Sequence, residues 1–182
     1  MSTKYIAGEK TKEVLYKEND CIFRFNIDDS YFSPRLSNER KEISDEIFKL
    51  SKGKKAKILV MFAGVAPYSI AIAKKNINCY IISLEINKKA SKYAELNKKL
   101  NGLRNLEIVQ GDVKKIIPKF IVDGEKFDFI VMPRPQLQET FLKQAFEVSK
   151  PGTIVYYYDF CKDDEIDNVA KKIEKEAKKY KR

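Results

Sequence analysis

The spacing of hydrophobic residues changes character near residue 57. Before that point, residues 12–17 (Lys-Glu-Val-Leu-Tyr-Lys) and 21–27 (Cys-Ile-Phe-Arg-Phe-Asn-Ile) are short runs rich in β-formers. Glu18-Asn19-Asp20 between them is turn chemistry, so the chain is expected to open with a β-hairpin. Residues 28–35 (Asp-Asp-Ser-Tyr-Phe-Ser-Pro-Arg) read as a loop. Asn38 is placed to cap a helix running to about Leu50, because Ile43, Ile47, Phe48 and Leu50 keep helical spacing. Residues 51–55 (Ser-Lys-Gly-Lys-Lys) end that helix.

From Lys57 onward the pattern alternates between strand and helix. Residues 58–62 (Ile-Leu-Val-Met-Phe) are apolar without interruption, as a strand covered on both faces must be, and a glycine turn and a helix over 67–75 follow. Residues 79–84 repeat the strand and 87–100 the helix; 106–109, 127–132 and 153–158 supply three more strands, with helices expected at 136–148 and 163–179. Strand, helix, strand at this spacing implies right-handed crossovers and an α/β, Rossmann-like fold: a mostly parallel twisted sheet with helices on both faces. The expected organisation is residues 1–52 as hairpin, loop and helix packed on a core of residues 53–182, the two forming one compact unit. No repeat or low-complexity segment divides it.

Composition narrows the classes of function. The 182 residues suit one domain, since about 150 is usual. Hydrophobic residues at 43% and charged ones at 34% mark a globular chain, and no apolar run approaches the roughly 18 residues of a membrane span. No apolar signal core follows Met1, so a cytoplasmic setting is expected. Cys21, Cys79 and Cys161 lie far apart with no histidine in the chain, so no metal site is expected and all three are read as reduced, mostly buried thiols. The formal charge of +10 favours a polyanionic partner such as RNA, although a lysine-solvated surface has the same composition. Without histidine, acid–base chemistry falls to Asp, Glu, Lys, Tyr or Cys.

In a doubly wound sheet the ligand lies outside the carboxyl ends of the strands, so the loop after Phe62 and the end of the next strand converge on one site. Gly64 permits a tight turn there, and Glu85 lies 21 residues on, near the ~20 expected for an acid that grips ribose hydroxyls. A dinucleotide fingerprint wants three glycines where this turn has one, whereas S-adenosylmethionine carries no phosphates and needs no such cradle. Asp112, in Gln-Gly-Asp past the third parallel strand, is a candidate for the adenine end. An ordinary strand-to-helix turn beside a surface acid has the same signature.

Two segments then resemble one family. Tyr31-Phe-Ser-Pro-Arg-Leu-Ser-Asn-Glu-Arg40, with Met61-Phe-Ala-Gly-Val-Ala-Pro-Tyr-Ser-Ile70 after a short helix, is similar to the tRNA guanosine-37 N1-methyltransferases of archaea and eukaryotes, from about Lys12 to Asp164. The resemblance implies a class I methyltransferase fold, S-adenosylmethionine as cofactor, tRNA as partner, and methylation of the guanine beside the anticodon. It implies cofactor contacts from Phe62, Ala63, Gly64, Val65, Ala66, Glu85, Asp112 and Met132. It also implies Glu39 as the base that removes the guanine N1 proton and Arg35 as the cation at O6, with Tyr31, Arg40, Arg134 and Pro135 around the base. The chemistry requires such a pair, because guanine N1 is protonated and charge develops on O6 as the proton leaves. An Arg35–Glu39 surface ion pair is the structural alternative.

Several positions depart from the family pattern. Val60 replaces an acid at the end of the first parallel strand and Ala66 replaces a glycine, and both changes are expected to touch the cofactor. Pro133-Arg-Pro135 stands where the family has Asn-Leu-Pro or Asn-Pro-Pro, leaving a carbonyl in place of an amide, with Arg134 available to stack on RNA. A C-terminal strand pair and an N-terminal tRNA-recognition domain of the family have no counterpart in the pattern, which suggests a fragment or a protein partner. Two other activities stay in view: a non-catalytic or partner-dependent RNA-binding homologue, and the aminocarboxypropyl transfer of wybutosine synthesis. The latter branch lacks the arginine of the Phe-Ser-Pro loop, and Arg35 therefore counts against it.

Overall fold

The computed structural model describes residues 4–133 and 139–180. Strands β1 (Glu13–Glu18) and β2 (Cys21–Asn26) form the antiparallel hairpin around Asn19 and Asp20, both at positive φ. A 3-10 turn over Pro34–Leu36 leads into α1 (Ser37–Ser51), so the helix starts before Asn38 and its N-cap is Leu36, which offers no side-chain cap. Proline at the first position of the turn, with φ already fixed, takes over the nucleating role expected of Asn38.

The remaining elements alternate: β3 (Lys57–Met61), α2 (Pro67–Lys75), β4 (Tyr80–Glu85), α3 (Lys88–Leu100), β5 (Leu106–Gln110), α4 (Val113–Val122), β6 (Phe127–Met132), α5 (Leu142–Glu147), β7 (Ser149–Tyr157) and α6 (Ile166–Ala177). The five strands β3 to β7 lie in the order β5-β4-β3-β6-β7, every pair parallel. The sequence pattern missed α4. Its apolar residues do keep helical spacing, but Pro118 lies inside it, a residue that ordinarily argues for a break. Asp112 caps this helix by accepting from Lys114 N–H at 2.9 Å, and Gly111 is required before it, because a Cβ there would stand 2.8 Å from Ile116 Cγ1. Helix α5 is shorter than the 136–148 expected; residues 136–138 lie outside the described residues, and β7 begins at Ser149 rather than 153.

Alternation along the parallel strands sorts side chains to two cores. Ile58, Val60 and Ile81 face Phe23, Phe25, Ile47 and Ile70 of the hairpin, α1 and α2, while Leu59, Met61, Ile82 and Leu84 face Ile117, Leu142 and Ala145 of α4 and α5. The hairpin is therefore part of the first core. It is also hydrogen-bonded to α3, where Asn97 Oδ1 accepts from Arg24 N–H at 2.6 Å and Asn101 Oδ1 from Ile22 N–H at 2.9 Å. Cys21 and Cys79 are buried, as expected, but Cys161 is exposed beyond the end of β7. No described helix is long and apolar enough to cross a membrane.

Candidate functional site

The chain runs from β3 to β4 and β5 on one side and returns to β6 and β7 on the other, so strand order reverses beside β3 and a crevice opens at its carboxyl end. The turn filling that place is tightly specified. Phe62, Gly64 and Ala66 all have positive φ, Ala63 N–H extends the ladder to Leu84 O (3.0 Å), and Ala66 N–H donates to Ala63 O (2.9 Å). Glu85 closes it from β4. One carboxylate oxygen accepts from Gly64 N–H and the other from Asn87 N–H, each at 2.7 Å, with the residue 9% exposed. Each oxygen keeps a further lone pair, which is what a vicinal diol needs, so Glu85 is held ready with its acceptor capacity only half used.

The expected cofactor residues divide on burial. Phe62, Gly64 and Asp112 keep exposed surface, and the Phe62 ring meets Phe141 edge-on at 5.1 Å. Val65 and Ala66 have none, and Ala63 and Met132 have almost none. The expectation that Val65 and Ala66 touch the ligand is therefore corrected: they shape the turn from within the core. The Ala66 methyl points into apolar packing rather than into the crevice, and alanine holds a left-handed conformation there that glycine would adopt without strain. Val60 belongs to the same core, between Ser83 and Val131, where an unpaired acid would be costly.

The segment from Tyr31 to Arg40 is anchored residue by residue. Phe32 packs among Tyr16, Phe23 and Phe25, stacking on Phe25 at 4.6 Å, and so pins the loop to the hairpin. Ser33 O accepts from Arg40 Nη2 at 3.0 Å, Pro34 starts the 3-10 turn, and the exposed Arg35 follows. Tyr31 is 80% exposed, and its carbonyl oxygen lies 3.8 Å from where a Cβ on Gly64 would stand, so the segment rests against the cofactor turn. Glu39, in the first turn of α1, is half-buried, and its carboxylate is among the charges that raise the phenols of Tyr158 and Tyr68. It forms no ion pair with Arg35 among the described residues, so the surface-pair alternative does not hold.

Arg40 requires a correction. It is 1% exposed, its Nε and Nη2 donate to the two oxygens of buried Glu18 at 2.5 and 2.6 Å, and it lies over Phe32 and Tyr68. With its guanidinium engaged inside the protein, Arg40 holds the loop that carries Arg35 and does not reach toward a substrate. Arg134 and Pro135 lie outside the described residues. Sequence reasoning missed Glu18, Tyr68 and Tyr158. The available signals were the Tyr after Pro67 in the glycine turn and the alternation of Tyr156-Tyr157-Tyr158 across the last strand. Burial pushes the Tyr68 phenol up to about 12, and burial followed by the neighbouring Glu39 carboxylate pushes Tyr158 up further, so both keep their protons at neutral pH.

Comparison with known proteins agrees with the fold. The chain is 33% identical, over 93% of its length and 71% of the relative's, to a Nanoarchaeum equitans protein named tRNA (guanine(37)-N(1))/4-demethylwyosine(37)-methyltransferase Taw22. It superposes at a TM-score of 0.80 on Methanocaldococcus jannaschii Trm5 in complex with adenosine (30% identity, 95% of this chain, 50% of that one). Against aTrm5 solved with tRNALeu the TM-score is 0.76 at 30% identity, covering 91% of this chain and 46% of that one. The chain thus spans about half the length of those two solved proteins. Residues 14–182 match the model of the TRM5/TYW2 methyltransferase domain, and with the Glu85 crevice and the Tyr31–Glu39 segment meeting at Gly64, the chain belongs to that family.

Proposed function

We propose that this domain methylates N1 of guanosine-37 in tRNA with S-adenosylmethionine as donor. The observation that carries the reading is the junction at Gly64, where a prepared ribose acceptor, Glu85, meets the segment bearing Arg35 and Glu39. S-adenosylmethionine, when bound, supplies an electrophilic methyl group. The chain's own residues do the rest. Glu85 accepts the ribose hydroxyls, with Phe62 and Asp112 beside the adenosyl group. Glu39 takes the N1 proton, placing negative charge on the purine, and Arg35 balances that charge at O6. Tyr31 presents its exposed ring to the base, and the resemblance adds Arg134 and Pro135, which lie outside the described residues.

Arg35 favours methyl transfer over aminocarboxypropyl transfer, because the resemblance places an arginine in this loop only for the methylating branch. The non-catalytic reading keeps the support of Pro133, which offers a carbonyl where an amide is expected, and loses that of Val60 and Ala66, which are buried core positions. A cytoplasmic setting is supported by free Cys21, Cys79 and Cys161. The test is incorporation of labelled methyl into a tRNA transcript with G at position 37, against an A-bearing control. A gain of one methyl group, dependent on the G, is expected. A larger mass gain would select aminocarboxypropyl transfer, and cofactor binding without any transfer would select the non-catalytic reading.

A further inference from the structure

Tyr31 is 80% exposed, so the place of its ring is set by the backbone on either side of it. On one side Phe32 is pinned among the hairpin aromatics. On the other the chain leaves β2 at Asn26 and crosses residues 27–30. We propose that Asn87 is a positioning residue for methyl transfer: with Lys89 it ties Asp29 to the Glu85 end of β4, and so fixes where the Tyr31 ring meets the substrate base. The proposal rests on the reading of Tyr31 as a base-side residue.

Asn87 joins three structures at once. Its backbone N–H donates to a Glu85 carboxylate oxygen at 2.7 Å. Its Oδ1 caps α3, accepting from Lys89 N–H at 2.9 Å and Ala90 N–H at 3.3 Å. Its Nδ2 donates to Asp29 O at 3.0 Å. A cap needs only the oxygen, which serine or aspartate also offers, as Asp112 does for α4. The second half of the amide is what reaches the loop. Lys89, two residues on, places its Nζ 2.6 Å from Asp29 Oδ1. With the lysine side chain 67% exposed, that pair adds little stability, and its worth lies in geometry. The other bonds of residues 27–30 lead elsewhere. Asn26 O accepts from Asp29 N–H and Ser30 N–H, each at 3.2 Å, which folds the segment on itself, while Lys12 holds Ile27 and Asp28 to the approach of β1. Farther along α3, buried Asn97 already fixes the hairpin against the cofactor turn: its Oδ1 accepts from Arg24 N–H, and its Nδ2 donates to Val65 O at 3.1 Å. Asn87 and Lys89 extend that alignment to the two residues before Tyr31, and through Glu85 they refer it to the group that holds the ribose.

The test uses Asn87→Ser with Lys89→Met, which keeps a capping oxygen on α3 and removes both ties to Asp29. Single-turnover methyl transfer to a tRNA transcript is measured at saturating cofactor and tRNA, alone and in a Tyr31→Ala background. The control is Asn78→Ser, which loses a comparable exposed bond, Asn78 Nδ2 to Gly53 O at 2.8 Å, at the amino end of the sheet. We expect the Asn87/Lys89 variant to slow transfer by about 10-fold, short of the roughly 100-fold that about an ångström of misplacement can cost. Cofactor Kd by calorimetry, KM for tRNA and melting temperature should stay unchanged, as should the rate of the control. In the Tyr31→Ala background the variant should add nothing, because it acts through that ring. An unchanged rate, full additivity with Tyr31→Ala, or a loss of cofactor affinity in step with the rate would overturn the positioning role. An unchanged rate for Tyr31→Ala itself removes the base-side reading, and with it this proposal, and is recognised by that single variant. No transfer by the unaltered protein would overturn the proposed function before any variant is made.

Discussion

Glu85 and Glu39 are both carboxylates at the carboxyl end of the same sheet, yet they are held by different means. Glu85 ends a buried strand, and its partners are backbone amides, Gly64 N–H and Asn87 N–H, fixed by the turn and the helix cap of the same Rossmann-like unit. Glu39 arrives on a separate segment and is surrounded by side chains, Tyr158 from beyond β7 and Tyr68 from α2, while its loop is kept in place by the buried Arg40–Glu18 pair. A site made from backbone is built as soon as the strand and turn form, whereas one made from side chains exists only when four elements have packed together. The first suits a fixed feature such as a ribose. The second suits the orienting demand of the base role proposed for Glu39.

Substitutions can break this contrast in order of expected size. Glu39→Gln should lower the rate of methyl transfer by about 10²- to 10⁴-fold, the usual worth of a positioned base, with cofactor affinity measured by calorimetry nearly unchanged. Loss of cofactor binding in that variant would show Glu39 to be structural. Arg40→Ala leaves the Glu18 charge buried without its partner and should cost about 3–5 kcal/mol in chemical denaturation. Replacing both partners by apolar residues of similar volume should cost less, which separates burial of a charge from loss of packing. Glu85→Gln sets an amide N–H₂ against a backbone donor and removes a charged acceptor. Cofactor affinity should fall by about 10- to 100-fold, in keeping with roughly 1.5–3 kcal/mol for a hydrogen bond to a charged group, while the melting temperature changes little. Gly64→Ala should be mildest, about 1–2 kcal/mol of stability, because the added methyl finds room and only the left-handed backbone is strained. A larger loss would mean that the Tyr31 loop lies closer to the turn in solution.

The sequence carried the parallel core well, because residues 58–62, 79–84 and 127–132 must be apolar on both faces and alternate with helices of ordinary length. It missed α4, where Pro118 interrupts the expected signal but leaves the helix intact, and it misplaced the start of α1, where a 3-10 turn replaced the asparagine cap. The meeting of Glu85 with the Gly64 turn was legible from their separation alone. Arg40 was misread, because a guanidinium beside the proposed catalytic segment has the same appearance in sequence whether it points at a substrate or at Glu18, 22 residues earlier. The roles given to Val65 and Ala66 failed for a similar reason: a residue in a ligand-binding turn can face either the ligand or the core.

Local sequence therefore determined what depends on short-range geometry: the strand and helix periods, the glycine turn, and an acid at the end of the second parallel strand. Tertiary structure alone decided which way the side chains between elements point. That direction placed Arg40 on Glu18, put the Ala66 methyl in the core and brought Tyr158 against Tyr68, because such contacts join residues at least 22 positions apart and form only when the hairpin, α1, α2 and β7 pack together.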